Sequence, residues 1–266
     1  MRHLPVSLLL LLALGLARPA AAQTPGIDLS WDQCWDEGTQ TTNRIFTCDS
    51  NVTHPVATIV GSFSPASNMP NFIGLEATLD IITVSDSLPP WWWLYTGGCR
   101  PLSLSASGDF TATPQQVCMD PFAQAGVPLG GVGAYQNVYN APSFITVPNT
   151  ARIKLAFAVA SPSPIVAGTT YLAFVVHIDG RSSYGAGACR GCVTPACFAL
   201  ESVRASQSTY DDEVLQQPMH NDWLGWQCAQ GGNFEYFTCG GQTCITASRN
   251  RTWGGIKALY RDGLYR

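Results

Sequence analysis

The sequence predicts an all-β protein: an antiparallel β-sandwich, jelly-roll or immunoglobulin-like, reinforced by disulfides and carrying long surface loops. Three observations lead there. Within 73–81, Ile73, Leu75, Ala77, Leu79 and Ile81 alternate with Gly74, Glu76, Thr78 and Asp80, the period of two that gives a strand one buried and one wet face. Charged residues are only 12% of the chain against a usual ~25%, while 25 Gly and 18 Pro punctuate short apolar runs, a strand-and-turn composition. Ten cysteines follow an apolar N-terminus, which reads as a set of disulfides in an oxidising compartment.

Taken in order, Met1-Arg2-His3 is a short basic start, 8–17 is an apolar run, and Ala20-Ala21-Ala22 offers small residues to a signal peptidase. Residues 1–22 are therefore expected to be a signal peptide, with the mature chain starting at Gln23 and secreted, periplasmic or extracellular. The apolar run is too short to span a bilayer and Gln23 is not a lipidated Cys, so no membrane insertion is expected. Residues 23–248 read as one β-sandwich domain whose later part, about 181–248, is rich in cysteine.

Strands are expected at 27–31, 44–48, 56–63, 73–81, 153–159, 172–178, 198–203, 223–228 and 234–239. The pair 153–159 and 172–178, joined through Ser161-Pro162-Ser163-Pro164, reads as neighbouring antiparallel strands. The Gly-rich stretch 125–141 and the stretch 204–221 read as long surface loops, the usual seats of binding sites. Residues 249–266 form a distinct tail: Arg249, Arg251, Lys257, Arg261 and Arg266 are opposed only by Asp262, and Trp253, Ile256, Leu259, Tyr260 and Leu264 would make one apolar stripe on a helix. Docking of that tail on the body, or its recognition by an export or assembly partner, are the two readings it allows.

For the cysteines, Cys99 and Cys118 are equidistant from a Gly108-Asp109 turn, so a hairpin would place them opposite one another within disulfide reach. Cys34 and Cys48 flank a turn and are expected to pair, as are Cys192 with Cys197 and Cys239 with Cys244, which leaves Cys189 with Cys228. Cys189-Arg190-Gly191-Cys192 is also a C-x-x-C, yet no second such motif or His pair accompanies it, and exported chains favour structural bridges over zinc or redox centres.

Catalytic signatures are absent: no G-x-S-x-G, no H-E-x-x-H and no phosphate-cradling glycine loop. After signal removal the histidines are His54, His177 and His220, and His177 reads as a half-exposed strand residue. Candidate carboxylates for glycoside hydrolysis are Asp32, Asp36, Glu37, Glu76, Asp80, Asp211, Asp212, Glu213 and Glu235, with Glu76 and Asp80 expected on a solvated strand face. No cofactor is called for; Asp211, Asp212 and Glu213 are the one candidate set for calcium, without EF-hand spacing.

Trp91, Trp92 and Trp93, followed by Tyr95, are the candidate ligand platform. If they continue a strand, Trp92 faces away from its neighbours and at least one ring lies near the surface, suited to a sugar ring or a protein interface. The plainer expectation is that Trp92 packs in the core. A formal charge of −4 argues against nucleic acid. The expected partner is a glycan or a protein at the cell exterior, including another copy of the chain through a sheet-edge pairing of 23–31. The expected role is a non-catalytic binding or adhesion module or a subunit of a surface assembly; the competing class is a secreted carbohydrate-active hydrolase.

Overall fold

A computed structural model describes residues 24–35, 42–110, 117–140 and 145–227. The expected signal peptide, the tail, the strand expected at 234–239, Cys228, Cys239, Cys244, Asp36, Glu37 and Glu235 lie outside the described residues. Among the described residues the chain is nearly all-β, with two sheets. Its strands are β1 (Gly26–Trp31), β2 (Asn43–Arg44), β3 (Pro55–Ser64), β4 (Met69–Thr83), β5 (Leu104–Ser107), β6 (Leu129–Asn140), β7 (Ile145–Ile165), β8 (Tyr171–Asp179), β9 (Ala196–Gln207), β10 (Glu213–Leu215) and β11 (Trp223–Trp226).

The smaller sheet has the order β1-β3-β8-β5; the larger runs β2-β11-β9-β4-β7-β6, with β10 also on β9. All pairings are antiparallel except β2 with β11. Alternation drives the packing. On one sheet Ile27, Leu29, Ile59, Phe63, Phe174 and Val176, and on the other Leu75, Leu79, Ile81, Leu155, Phe198 and Leu200, enter one buried cluster. The sheets meet directly where Trp31 stands edge-on to Phe198 at 5.7 Å and Phe63 lies 6.3 Å from Phe72. Each such aliphatic or aromatic side chain contributes about 1.5–3 kcal/mol relative to exposure.

Four expectations are corrected. The stretch 125–141 is largely strand β6, because its glycines allow close approach: a Cβ on Gly130 (φ +153) would sit 2.0 Å from the Ala156 carbonyl oxygen. The stretch 204–221 is not one loop, since β9 runs on to Gln207 and turns into β10. Strands β7 and β8 are not neighbours: β7 pairs with β4 and β6, β8 with β3 and β5. Ser161-Pro162-Ser163-Pro164 lies within β7, beyond the end of its pairing with β6, where a Pro forfeits no ladder bond on that open side. Fourth, in β4 the core place expected of Ile73 is taken by Phe72, across a register shift between Phe72 and Gly74.

The first strand does not await a neighbour. β1 is fully buried, pairs with β3 over six positions, and has its other edge engaged by 217–221 through Ile27 N–H to Gln217 O (2.9 Å), Met219 N–H to Ile27 O (2.9 Å) and Leu29 N–H to Asn221 O (2.6 Å). Asp28 fixes this seam by accepting from the backbone N–H groups of His220 (2.6 Å) and Asn221 (2.8 Å). The proposed sheet-edge exchange through 23–31 therefore loses its free edge.

Four of the expected disulfide pairings are also overturned, Cys34–Cys48, Cys99–Cys118, Cys192–Cys197 and Cys189–Cys228, while Cys239–Cys244 lies outside the described residues. Bridges whose two cysteines are both among the described residues are Cys34–Cys118, Cys48–Cys192 and Cys99–Cys189, with Cα separations of 6.1, 6.0 and 5.9 Å. Cys197 is disulfide-bonded too, so it is not the partner of Cys192. The hairpin around Gly108 fails because β5 takes β8 as its partner, Leu104 facing Ile178, rather than the segment that follows it. Both thiols of the C-x-x-C are consumed by distant partners, which removes it as a redox or zinc motif.

Candidate functional site

The tryptophan run forms no strand. Pro89-Pro90 fixes the backbone so that Pro90–Trp92 make one 3₁₀ turn, with Pro at its first position. That geometry sends both Trp91 and Trp92 inward, each 0% exposed, and leaves Trp93 at 38% and Tyr95 at 41%. Trp91 stacks on Trp226 at 5.1 Å and meets Trp92 edge-on at 4.6 Å, while Trp92 is edge-on to Phe198 at 5.5 Å. Trp91 Nε1–H donates to Ser183 Oγ (3.1 Å), Trp226 Nε1–H to Cys192 O (2.9 Å) and Trp93 Nε1–H to Leu88 O (3.0 Å).

Arg100 closes this knot. Its guanidinium lies 3.6 Å from the Trp91 ring centroid and donates to the carbonyls of Trp91 (3.0 Å), Arg181 (2.9 Å) and Asp179. Burial pulls its pKa down to about 9, opposed by the Asp179 charge, so it stays cationic at neutral pH. Sequence reasoning missed Arg100, although it directly follows Cys99 and lies close after Tyr95, two residues already singled out. Tyr135, whose hydroxyl donates to Trp92 O, has its phenol pushed up chiefly by burial. Trp91 and Trp92 thus belong to the core and present no face to a ligand; Trp93 and Tyr95 retain one.

The candidate calcium set is not gathered. Glu213 accepts from Ala66 N–H (2.7 Å) and Ser67 Oγ–H (3.3 Å), and Asp212 from Gln207 N–H (3.3 Å). Among the described residues no three carboxylate, His or Cys side chains group to hold a metal. His177 sits half-buried, its Nδ1 3.2 Å from Thr58 Oγ1. His220 does meet an acid: its Nδ1 lies 2.8 Å from Asp28, and its ring stacks on Trp35 at 5.8 Å. The hydroxyl of Ser30, on the same strand face as Asp28, is engaged with Gln33 O, so the pair serves the β1 seam.

Chemistry gathers instead on the outward face of the larger sheet. Asp80 is not solvated as expected. It is 5% exposed and holds Arg152 through two contacts, Nε at 2.7 Å and Nη2 at 2.6 Å. Beside it Glu201 occupies a β-bulge, the extra residue between the Thr78–Ser202 and Leu79–Leu200 pairs. Burial, then the charges of Asp80 and Asp222, push the Glu201 carboxyl up to about 7 despite Arg152.

Along the same face runs a groove of about 520 Å³ that adjoins a second of about 350 Å³, the two sharing Glu76 and Ala156. It exists because its floor carries small side chains, Gly74, Ala156, Ala158, Ser202 and Ser206, between β6 on one flank and Val214 and Gln216 on the other. Register sets its polar groups: Thr78 is directly opposite both Lys154 and Ser202, and Glu76 opposite Arg204. Lys154 Nζ donates to Thr78 Oγ1 at 2.6 Å, and burial followed by Arg152 lowers its pKa.

Compared with known proteins, the chain matches no family, no curated protein and no solved structure. Among the described residues no helix is long and apolar enough to cross a membrane.

Proposed function

We propose that this chain is an exported, non-catalytic binding module with an immunoglobulin-like β-sandwich, and that it contacts a ligand at the cell exterior through the groove on its larger sheet. The strand order supports the immunoglobulin-like reading over a jelly-roll: β1-β3-β8-β5 follows the A-B-E-D order of such a sandwich and β11-β9-β4 its G-F-C order, with the β6–β7 hairpin added beside β4. Three disulfides of long span fit an oxidising compartment.

The observation that carries the binding role is the groove, in which charged and hydroxyl groups stand on a rigid sheet above a floor of small residues. Trp93 and Tyr95 add a smaller apolar surface for a partner. Screening the secreted protein against glycans and surface proteins tests the reading. Ala156→Trp, which fills the groove from an exposed position, is expected to abolish binding while leaving thermal stability unchanged; unaltered binding by that variant defeats the assignment.

One observation favours a second reading, a carbohydrate-active hydrolase: Glu201, a carboxyl held near 7, stands beside Asp80, an acid paired to Arg152. Two neighbouring carboxyls in different surroundings suit an acid–base pair. Turnover of a glycan that is lost in Glu201→Gln would install the enzyme; binding without turnover keeps the module.

A further inference from the structure

We infer that the ligand of this groove is an acidic oligosaccharide, a chain of sugars bearing carboxylate or sulfate groups; the inference rests on the groove being the binding site. Charge is the first argument. The formal charge of the whole chain is −4, yet the groove is lined by two cations, Lys154 and Arg204, and one anion, Glu76. Lys154 forms no salt bridge among the described residues, its bond being to the neutral hydroxyl of Thr78. Arg204 pairs loosely with Asp212, at 3.9 Å, and its side chain is 52% exposed. Both cations therefore have capacity for an incoming anion.

Placement is the second argument. Lys154 and Arg204 stand on β7 and β9, on either side of β4, and two residues out of register. Strand spacing and rise put their Cα atoms about 12 Å apart. Between them lie the hydroxyls of Thr78 and Ser202 and the carboxylate of Glu76, which suit ligand hydroxyls placed between two acidic groups.

The third argument separates a sugar chain from an acidic peptide. β4, along the centre of the floor, is hydrogen-bonded on both edges, by β7 and β9, so no backbone groups are left there to read a peptide strand. Among the described residues no aromatic side chain lines the polar part of the groove, so charge rather than ring stacking is the selectivity these lining residues supply.

Calorimetry on the secreted protein with hexamers of galacturonic acid, mannuronic acid and hyaluronan, beside cellohexaose, xylohexaose and oligoglutamate, tests this. At least one acidic hexamer is expected to bind about tenfold tighter than the neutral ones and than oligoglutamate. Its affinity should fall with added salt and by about fivefold or more in Lys154→Gln and in Arg204→Gln. Neutral hexamers binding equally well, lost in Ala156→Trp but indifferent to both charge variants, would overturn the acidic class and keep the groove. Oligoglutamate binding as tightly as any sugar would overturn the glycan in favour of an acidic protein. No binding by any probe would overturn the inference, and binding that survives Ala156→Trp would overturn the groove with it.

Discussion

The guanidinium of Arg100 lies against the ring of Trp91 at 3.6 Å, with both side chains wholly withdrawn from solvent. This contact joins the 3₁₀ turn to the end of β8, because the same guanidinium bonds the carbonyls of Trp91 and Asp179. A planar fork serves several acceptors at once where an ammonium does not. Arg100→Met and Arg100→Lys are both expected to destabilise the fold, the former by about 3–5 kcal/mol, since buried carbonyls and the Asp179 carboxylate lose a partner. Urea unfolding followed by tryptophan fluorescence measures it; a Lys variant as stable as the parent would show that the fork geometry is dispensable.

Glu201 makes stability depend on pH. Its carboxyl is raised from 4.5 to about 7 in the folded chain, so between those values the folded state holds a proton that the unfolded state has released. The contribution is complete below pH 4.5 and fades as pH rises through 7, by up to about 3 kcal/mol. Glu201→Gln, which cannot ionise, should flatten this slope and unfold at higher temperature than the parent at pH 8. Melting curves at several pH values read it directly, and parallel slopes for the two proteins would contradict it.

The Cys48–Cys192 bridge joins residues 144 apart, but with Cys34–Cys118 and Cys99–Cys189 still closed the loop it adds is only about 40 residues, for which the chain-entropy account gives about 4 kcal/mol. Cys48→Ser with Cys192→Ser should accordingly cause a large loss of melting temperature under non-reducing conditions. A shift of only a few degrees would mean that the bridge does little to restrict the unfolded chain.

Gly191, inside the C-x-x-C, has φ +105, and a Cβ there would stand 2.2 Å from the Cβ of Pro89. Gly191→Ala should cost about 2 kcal/mol or more, through both the left-handed backbone and the clash. The denaturation midpoint of this variant is the check; an unchanged midpoint would show that the Pro89 loop yields freely.

Much of the sheet architecture is written in local alternation. β4 and β8 appear where period-two runs place them, because a half-buried strand imposes its periodicity on the side chains. Bulges hide where the phase slips: Phe198 and Leu200 point inward on even numbers, Val203 and Ala205 on odd ones, and Glu201 sits at the slip. That slip was the available signal for Glu201. β6 escaped because glycine carries no strand propensity, although close approach to Ala156 demands it. The Pro89-Pro90 pair signalled a turn into the tryptophans rather than a strand through them. The groove left no mark in the sequence, since Gly74, Ala156 and Ser202 come from three strands that only tertiary pairing brings together.

The bridges interleave. Cys34–Cys118 overlaps Cys48–Cys192 and Cys99–Cys189, and Cys99–Cys189 nests inside Cys48–Cys192. As the chain emerges N-terminus first into an oxidising compartment, Cys34 and Cys48 are the first thiols available to an oxidant, yet they do not belong together. Joining neighbours in order of arrival would trap the wrong connectivity, and reaching the native one then requires thiolate attack and exchange. A producing host must therefore provide isomerase capacity as well as oxidising power, and yield from an isomerase-deficient strain will report on the order in which this chain's sulfurs find each other.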